Sequence, residues 1–340
     1  MHSKLNIAST DSGAGEFVTM ARMIALAKGN ASDALIHAER GKASERILRV
    51  LKAAPSVSTA ENWAAMVDYR IIASGFLDSL RSIGVFDAML AGGMRRVPLR
   101  TRAVSVTSAF VGDSPVEAAV KPLSEIELAG TNIEPVKSTC LVTATRELFE
   151  LGGGAAQAFL SRELRSGVVA ATDAKFLSIL SAAATSAVST GEDVESIFAD
   201  LRAMSTAVAV SSMSALFLVM NPQRLKLMAL IEGTAGRAFP DVTYRGGTVA
   251  GINVLASDQL DDSEALLVDA AQIAGDSDAI VLDVARHAAL DLDGGASPAF
   301  STWQRNSVAL RTERWFGAEV VGDAAVALLT SVSWGEGSTP

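Results

Sequence analysis

Arg95-Arg-Val-Pro-Leu-Arg-Thr-Arg102 opens the stretch of chain that decides the fold. Four arginines stand in these eight residues, with Pro98 between the first pair and the second. An alternating run follows, Arg102-Ala-Val-Ser-Val-Thr-Ser108, and its period of two predicts a strand. A polar tip comes next, Gly112-Asp-Ser-Pro-Val-Glu-Ala-Ala-Val-Lys-Pro-Leu-Ser-Glu125. A second extended run covers 126–143, and the chain then turns into a helix at Thr145-Arg-Glu-Leu-Phe-Glu150. A two-stranded arm feeding a long helix cannot bury itself within one subunit. It needs neighbours, so the pattern points to assembly rather than to chemistry.

Composition sets the bounds around that arm. At 340 residues the chain has room for about two domains or one elaborated domain. Hydrophobic residues make up 49%, ample for a core, while aromatics at 5% are too few to wall a ring-lined pocket. The net charge of −9 gives no overall basic field to attract nucleic acid. Cys140 is the single cysteine, so an intrachain disulfide and a cysteine-based zinc site are both excluded. That fits a reducing cytoplasm. The N-terminus lacks the pattern of a signal peptide. The longest apolar-rich run, Ala207 to Met220, is interrupted by Ser211, Ser212 and Ser214 and falls short of a membrane helix. A soluble protein is expected.

Outward from the arm, helical periodicity runs from Glu16 to Ala53 with breaks at Gly29-Asn30 and Gly41. Pro55-Ser-Val-Ser-Thr59 is a linker, and Ser58 or Thr59 can cap a second helical segment that ends at Ala91-Gly-Gly93. Past the arm, Thr143 or Thr145 can cap a helix, and Gly152-Gly-Gly interrupts it before a long helix from about Ala155 to Ala182. Ser186 to Glu192 reads as a loop, Val194 to Met204 as a helix, and Ala207 to Met220 as a buried strand stopped by Asn221-Pro222. A helix over Gln223 to Glu232 is expected, then strands over Val249 to Ala256, Leu266 to Ala274 and Ala279 to Leu292. Thr302 to Glu313 alternates apolar and polar, and Gly317 to Ser331 ends on an apolar run. Helices and strands mix without regular βαβ alternation, which argues for the α+β class.

Chemistry-bearing constellations are absent from the reading. His2, His37 and His287 sit in separate contexts with no ligand or triad spacing. Gly152-Gly-Gly lacks the lysine and spacing of a phosphate loop. Asp291-Leu-Asp293-Gly faintly suggests a calcium loop but has no closing glutamate. Residues 258–293 hold ten acidic groups against one arginine, Arg286, and read as solvated loops at a subunit contact or around a pore. The arginines at 95–102 have no interleaved aromatics for nucleic-acid stacking. Salt bridges to a neighbour's acids explain them better. Cys140 reads as a packing residue. No catalytic residue, cofactor or metal set is expected.

Taken in order, these parts resemble the tailed-bacteriophage major capsid proteins of the HK97-like fold. The arm, Val97-Pro-Leu-Arg-Thr-Arg102 through Val116-Glu-Ala-Ala-Val-Lys-Pro-Leu-Ser-Glu125, is similar to the family's extended loop. Val142-Thr-Ala-Thr-Arg-Glu-Leu-Phe-Glu150, Leu160-Ser-Arg-Glu-Leu164 and Ala171-Thr-Asp-Ala-Lys-Phe-Leu177 resemble its strand and spine helix. Val219-Met-Asn-Pro222, Gly251-Ile-Asn-Val254 and Val268-Asp-Ala-Ala-Gln272 follow in the family's order, and Asn306-Ser-Val-Ala-Leu-Arg-Thr-Glu-Arg314 with Val321-Gly-Asp-Ala-Ala-Val-Ala-Leu328 resembles its closing ribbon.

The resemblance implies a structural subunit, not an enzyme. It implies a map of N-terminal arm 1–55, helical segment 56–94, extended loop 95–143, spine helix 144–190 in a peripheral domain, axial domain 191–298 and peripheral return 299–340. Homo-hexamers and homo-pentamers would close an icosahedral shell around phage or prophage double-stranded DNA, held without sequence specificity. The virion is the implied location, with assembly in the host bacterial cytoplasm and no membrane partner. Arg96, Arg100, Arg102, Glu117, Lys121 and Glu125 become the arm's intersubunit contacts.

Some members cross-link an arm lysine to a neighbour's asparagine with a glutamate's help, and Lys121, Asn306 and Glu313 match those positions. Only about 55 residues precede the linker at Pro55, few for a scaffolding domain. Scaffolding is then a separate protein, or residues 1–55 do part of that work, or the sequence is the mature form. A portal and a maturation protease are further implied partners. An encapsulin-like compartment around an enzyme cargo stays open within the same fold, and a soluble α+β enzyme stays open outside it.

Overall fold

Asn30 and Gly41 punctuate the N-terminal helices where the periodicity places breaks, Gly29 lying outside the described residues. A computed structural model describes residues 12–27, 30–53, 60–80, 84–106, 128–151, 153–233, 236–285, 288–290 and 300–336. Helix α1 spans Ser12–Leu26, α2 Ala31–Arg40 and α3 Glu45–Ala53. The Asn30 side chain accepts from Ser32 N at 3.0 Å and caps α2, as an Asx residue at that position should. Helix α4 spans Ala60–Leu80, its expected caps Ser58 and Thr59 lying outside the described residues, and α5 spans Val85–Gly92.

The chain then enters strands β1 (Arg95–Arg96), β2 (Arg102–Val106), β3 (Leu128–Asn132) and β4 (Val136–Thr145). Helix α6 (Arg146–Leu151) and the 30-residue α7 (Gly153–Ala182) follow. Beyond them come β5 (Thr185–Val188), α8 (Val194–Ala207), β6 (Leu216–Met220) and α9 (Pro222–Met228). A run of strands completes the chain. These are β7 (Glu232–Gly233), β8 (Gly236–Arg237), β9 (Val242–Thr243), β10 (Gly246–Val249), β11 (Ile252–Ala256) and β12 (Ala265–Asp269), then β13 (Ile273–Ala285), β14 (Ala289–Leu290), β15 (Phe300–Ser301), β16 (Ser307–Val320) and β17 (Val326–Thr330).

Three expectations change. The stretch Ala207–Met220 is a strand only over Leu216–Met220. Its first part ends α8 and forms a turn, because the Asp269 carboxylate accepts from Ser214 Oγ at 2.7 Å and from Ala215 N at 2.9 Å. The same carboxylate accepts from Ala271 N at 3.1 Å, which breaks the expected strand Leu266–Ala274 with a 3-10 turn at Ala270–Gln272. The helix expected to Glu232 stops at Met228, after a start set by the Asn221 cap and Pro222 in its first turn. A fourth detail is an addition: residues 185–188 of the expected loop pair with β17.

Strands β1, β13, β16 and β4 form a four-stranded sheet in that order, and a seven-stranded sheet runs β5-β17-β12-β6-β11-β10-β9. By packing, the chain divides into two compact units. The first holds residues 1–87, 137–172 and 278–315, and the second holds 88–136, 173–277 and 316–340. Residues 299–315 thus fall in the first unit, while 316–340, with β17, fall in the second.

The first unit packs the four N-terminal helices, the α7 segment and the inner strand faces around Phe17, Met20, Ile47, Leu51, Phe76 and Leu164. The Phe17 and Phe76 rings lie 4.6 Å apart in a tilted pair. Each fully buried phenylalanine contributes roughly 1.5–3 kcal/mol through area removed from water. Gly167 of α7 lets that helix approach β4 closely, since a Cβ there would stand 2.2 Å from Cys140 Sγ. Arg314 is fully buried and donates from Nη1 and Nη2 to Asp87 Oδ2 and Oδ1 at 2.8 and 2.6 Å. Its Cζ lies 5.2 Å from the Phe86 ring centroid, adding a cation–π contact.

The second unit's core is the seven-stranded sheet with α8 and α9 against it. Central strands β6 and β12 read Leu-Phe-Leu-Val-Met and Ala-Leu-Leu-Val-Asp, continuous apolar runs that suit strands covered on both faces. Asp200 is buried and accepts four hydrogen bonds, from Ser189 Oγ, Thr190 N, Thr190 Oγ1 and Trp334 Nε1.

Two predictions follow from the first unit's packing. Arg314→Met should cost about 3–5 kcal/mol in urea unfolding, because Asp87 is left charged and buried. Arg311→Met, at a half-exposed pair with Asp283, should cost under about 1 kcal/mol. Equal losses at the two positions would refute the difference. Gly167→Ala should cost about 1–3 kcal/mol by overpacking. Adding Cys140→Ala should recover most of it, since a Cβ at 167 would then meet only the Cys140 Cβ position at 3.4 Å. A strictly additive double variant would contradict that contact.

Candidate assembly surfaces

The arm is a two-stranded antiparallel ribbon at its root, with Arg102 opposite Asn132 and Val106 opposite Leu128. It pairs with no other strand among the described residues. Its root is tied down. Arg100 N donates to Ile133 O at 3.0 Å and Ile133 N donates to Thr101 O at 3.1 Å. Arg100 takes a positive φ of 63°, a left-handed turn that arginine adopts only when its surroundings hold it. Thr101 Oγ1 also donates to Pro98 O. Ile133 is completely buried, packed with Val97, Leu99 and Val321.

Arg96 and Arg100 are exposed, and no carboxylate among the described residues pairs with either. Arg102 stands on β2, its side chain outside the described residues, as are Glu117, Lys121 and Glu125 altogether.

Asn306 and Glu313 lie in the first unit. Asn306 forms the turn before β16 at φ 47°, accepts from Arg146 N at 2.9 Å and donates from Nδ2 to Glu147 Oε1 at 2.6 Å. Glu147's own backbone N–H, and after it the Asn306 amide, hold that carboxyl below its ordinary value. Glu313 is bound to Lys137 Nζ at 2.6 Å and to Arg311 Nε at 3.4 Å, and Arg311 continues to Asp283 at 2.7 Å. The structure therefore gives the amide and the glutamate separate partners. Seven residues of extended chain separate them by about 23 Å.

The acidic stretch 258–293 divides by role. Asp258, Asp261 and Asp262 are exposed in the β11–β12 loop, Asp283 pairs with Arg311, and Asp269 is buried as a hydrogen-bond hub. Burial pushes the Asp269 carboxyl up, yet the hydrogen bonds from Gln272, Ser214, Ala215 and Ala271 outweigh it and hold it below its ordinary value. Asp291 and Asp293, with the calcium-loop pattern, fall outside the described residues, as do His2 and His287. Cys140 is partly covered, and burial pushes its thiol up. Among the described residues, no cluster of three or more histidine, cysteine, aspartate or glutamate side chains is placed to hold a metal ion. No helix there is long and apolar enough to cross a membrane.

Sequence reasoning missed the exposed apolar side chains. Trp303 is 71% exposed in the turn before β16, and Met213 is 84% exposed. Met66, Val67 and Ile71 line the outer side of α4, while Tyr244 and Phe198 stand out from the second unit. Met66, Val67 and Ile71 stand together on α4, whereas the others are single exposed side chains of the kind any folded surface carries. The one usable signal was α4 itself, whose apolar residues follow no single stripe, so that some must face outward beside Arg70, Ser74 and Asp78.

The sequence profile of the Phage capsid family matches residues 78–331. The "Capsid polyprotein" of Pseudomonas phage PAJU2 is 26% identical over 325 residues, which cover 86% of this chain and 49% of that protein. The chain thus spans about half the length of this curated relative. A solved chain from Gordonia phage Cozz aligns with a TM-score of 0.50 at 16% identity, over 71% of this chain and 85% of the other. A chain from the "Capsid of native GTA particle computed with C5 symmetry" aligns at 0.46 and 14%, over 75% and 90%. With an α+β fold of the HK97-like class and a profile match across three quarters of its length, the chain belongs to the phage capsid family.

Proposed function

We propose that this chain is the major capsid subunit of a phage or prophage and that it assembles through hexamers and pentamers into an icosahedral shell around double-stranded DNA. The observation that carries the reading is the ribbon β2–β3, anchored firmly at its root and paired with nothing else among the described residues. A lone two-stranded ribbon is marginal in water, so a neighbouring subunit must complete it. Arg96 and Arg100, without an ion pair among the described residues, supply charge for that contact, with Arg102, Glu117, Lys121 and Glu125 as its further members. An acidic chain of net charge −9 encloses DNA without gripping it, since tight phosphate binding needs clustered lysine and arginine.

In this reading the first unit serves as the peripheral domain together with the long helix, and the sheet of the second unit serves as the axial domain. The subunit is structural and performs no turnover. It works in the virion after assembly in the host cytoplasm, with a separate scaffolding protein, a portal and a maturation protease as partners.

A covalent seam is part of the proposal. Lys121 Nζ would attack Asn306 Cγ, forming an amide and releasing ammonia, with Glu313 taking the amine proton. At about 23 Å along one strand, Asn306 and Glu313 cannot serve the same event from one copy, so different copies must supply them. The Asn306 amide must also leave Glu147 first.

Purified full-length protein imaged by negative-stain electron microscopy should show uniform shells or capsomers, and small particles alone would overturn the reading. After nuclease treatment, DNA-filled shells should keep strong absorbance at 260 nm, whereas cargo-filled shells should not. Arg100→Ala with Arg102→Ala should lower shell yield several-fold while the melting temperature holds; an unchanged yield would remove these arginines from the interface. On denaturing gels the seam requires a ladder of multimers that Lys121→Arg abolishes, and a single monomer band would exclude it.

A further inference from the structure

On the second unit, the first turn of α8 and the β7–β8 hairpin enclose an open cleft of about 590 Å³. Asp193, Glu195 and Glu232 bring three carboxylates to its wall, and Arg237 brings one guanidinium. Phe198 supplies the apolar surface, 45% exposed, with its ring 5.6 Å from that of the buried Phe239. Asp193 is engaged as the α8 cap, accepting from Ser196 N at 3.4 Å. Glu195, Glu232 and Arg237 form no ion pair among the described residues. The cleft therefore offers an aromatic face with a surplus of negative charge beside it. A cation carried next to a ring would suit it.

The same unit presents such a group. The turn between β9 and β10 displays Tyr244 and Arg245, both exposed, with the guanidinium 5.3 Å from the ring centroid. The turn is built to be stiff. Thr243 Oγ1 donates to Gly246 O at 2.8 Å and accepts from Arg245 N at 3.3 Å. Gly246 and Gly247, at φ 112° and 150°, press against backbone where a Cβ would come within 2.4 Å of Val254 O and 2.0 Å of Asp241 O. Only glycine allows that approach. A knob already fixed in shape loses little conformational entropy on docking. Arg245, too, forms no ion pair among the described residues.

We propose that the Tyr244–Arg245 turn of one copy seats in the Phe198 cleft of the next, with Arg245 between Glu195 and Glu232 and Tyr244 against Phe198. This deepens the assembly reading and rests on it. Knob and cleft are different patches of one chain, so the contact is heterologous, and repeating it generates a ring when the rotation closes. Charge complementarity selects the occupant: the cleft carries three acids against one base, and the knob carries one base with no ion pair among the described residues.

Charge reversal tests the contact. Arg245→Glu alone, and Glu195→Lys with Glu232→Lys, should each raise the protein concentration needed for capsomers by on the order of tenfold, read by sedimentation velocity. Combining all three changes in one chain should restore assembly toward the wild-type concentration. Reversals that leave assembly unchanged overturn the proposal. So does a combined variant that melts normally and still fails to assemble. Should a reversal unfold the chain, Tyr244→Ala replaces it, removing only an exposed ring, and normal assembly of that variant overturns the proposal equally. A wild-type chain that stays monomeric removes the assembly reading itself, and this contact with it. A wild type that assembles beside unaffected variants removes the contact alone.

Discussion

Among the described residues, β2 and β3 pair only with each other, which leaves two open edges for another strand to complete. The ribbon β2–β3 imposes that constraint, and the chain around its root is shaped to meet it. Thr101, Arg100 and Ile133 exchange backbone hydrogen bonds at the point where the ribbon leaves the body. Gly317 lets β16 press against that point, since a Cβ there would come 2.6 Å from Ile133 Cγ2 and 2.8 Å from Leu99 Cδ2. The root is thus packed like a core, while β2 and β3 beyond it pair with no third strand among the described residues. A rigid base with unfinished strands is what pairing across copies needs, because the base fixes direction and the partner supplies the missing hydrogen bonds.

Polar groups buried elsewhere fix geometry in the same spirit. Arg314 and Asp87 form a buried bidentate pair, and such a pair is worth little net energy against an apolar replacement. Its value lies in the penalty for any arrangement that separates the two. Asp200 works similarly in the second unit. It gathers a serine, a threonine and the Trp334 indole, so the C-terminal segment has one place to lie. Asp269 turns the chain twice, once before β6 and once after β12. Its carboxyl sits below the ordinary range, so this hub contributes stability above the unfolded pKa and loses it as pH falls through the lower folded value.

The α+β class, the arm, the long helix ending at Ala182 and the breaks near Asn30 and Gly41 were legible because each rests on local periodicity or a turn residue. The errors share a different cause. Ser211 and Ser214 bond locally in the turn before Leu216, but the carboxylate that anchors it comes from Asp269, more than fifty residues later. The acidic content of 258–293 suggested one solvated stretch, and long-range pairing sorted it into exposed loop, ion pair and buried hub. The surfaces fared similarly. The arginines at 95–102 announce themselves by density, but Trp303, Tyr244 and Phe198 are single aromatics in ordinary contexts, and only folding shows which remain uncovered.

Shell formation also limits how strong any one contact should be. Exposed ion pairs contribute about 0–1 kcal/mol each, and such weakness is useful when a misplaced subunit must be able to leave. Affinity then comes from repetition, since each subunit in a closed ring is held on both sides and each further contact forms at high effective concentration. In the proposed assembly, the exposed Arg100 at the ribbon root and the Tyr244–Arg245 turn would make contacts of this graded kind. Neither buries a charge that a partner must rescue at once. The buried pairs, costly to separate, lie inside the units, where they define the shape of each. The weak, solvent-screened ones are left at the surface, where reversibility lets the assembly correct itself.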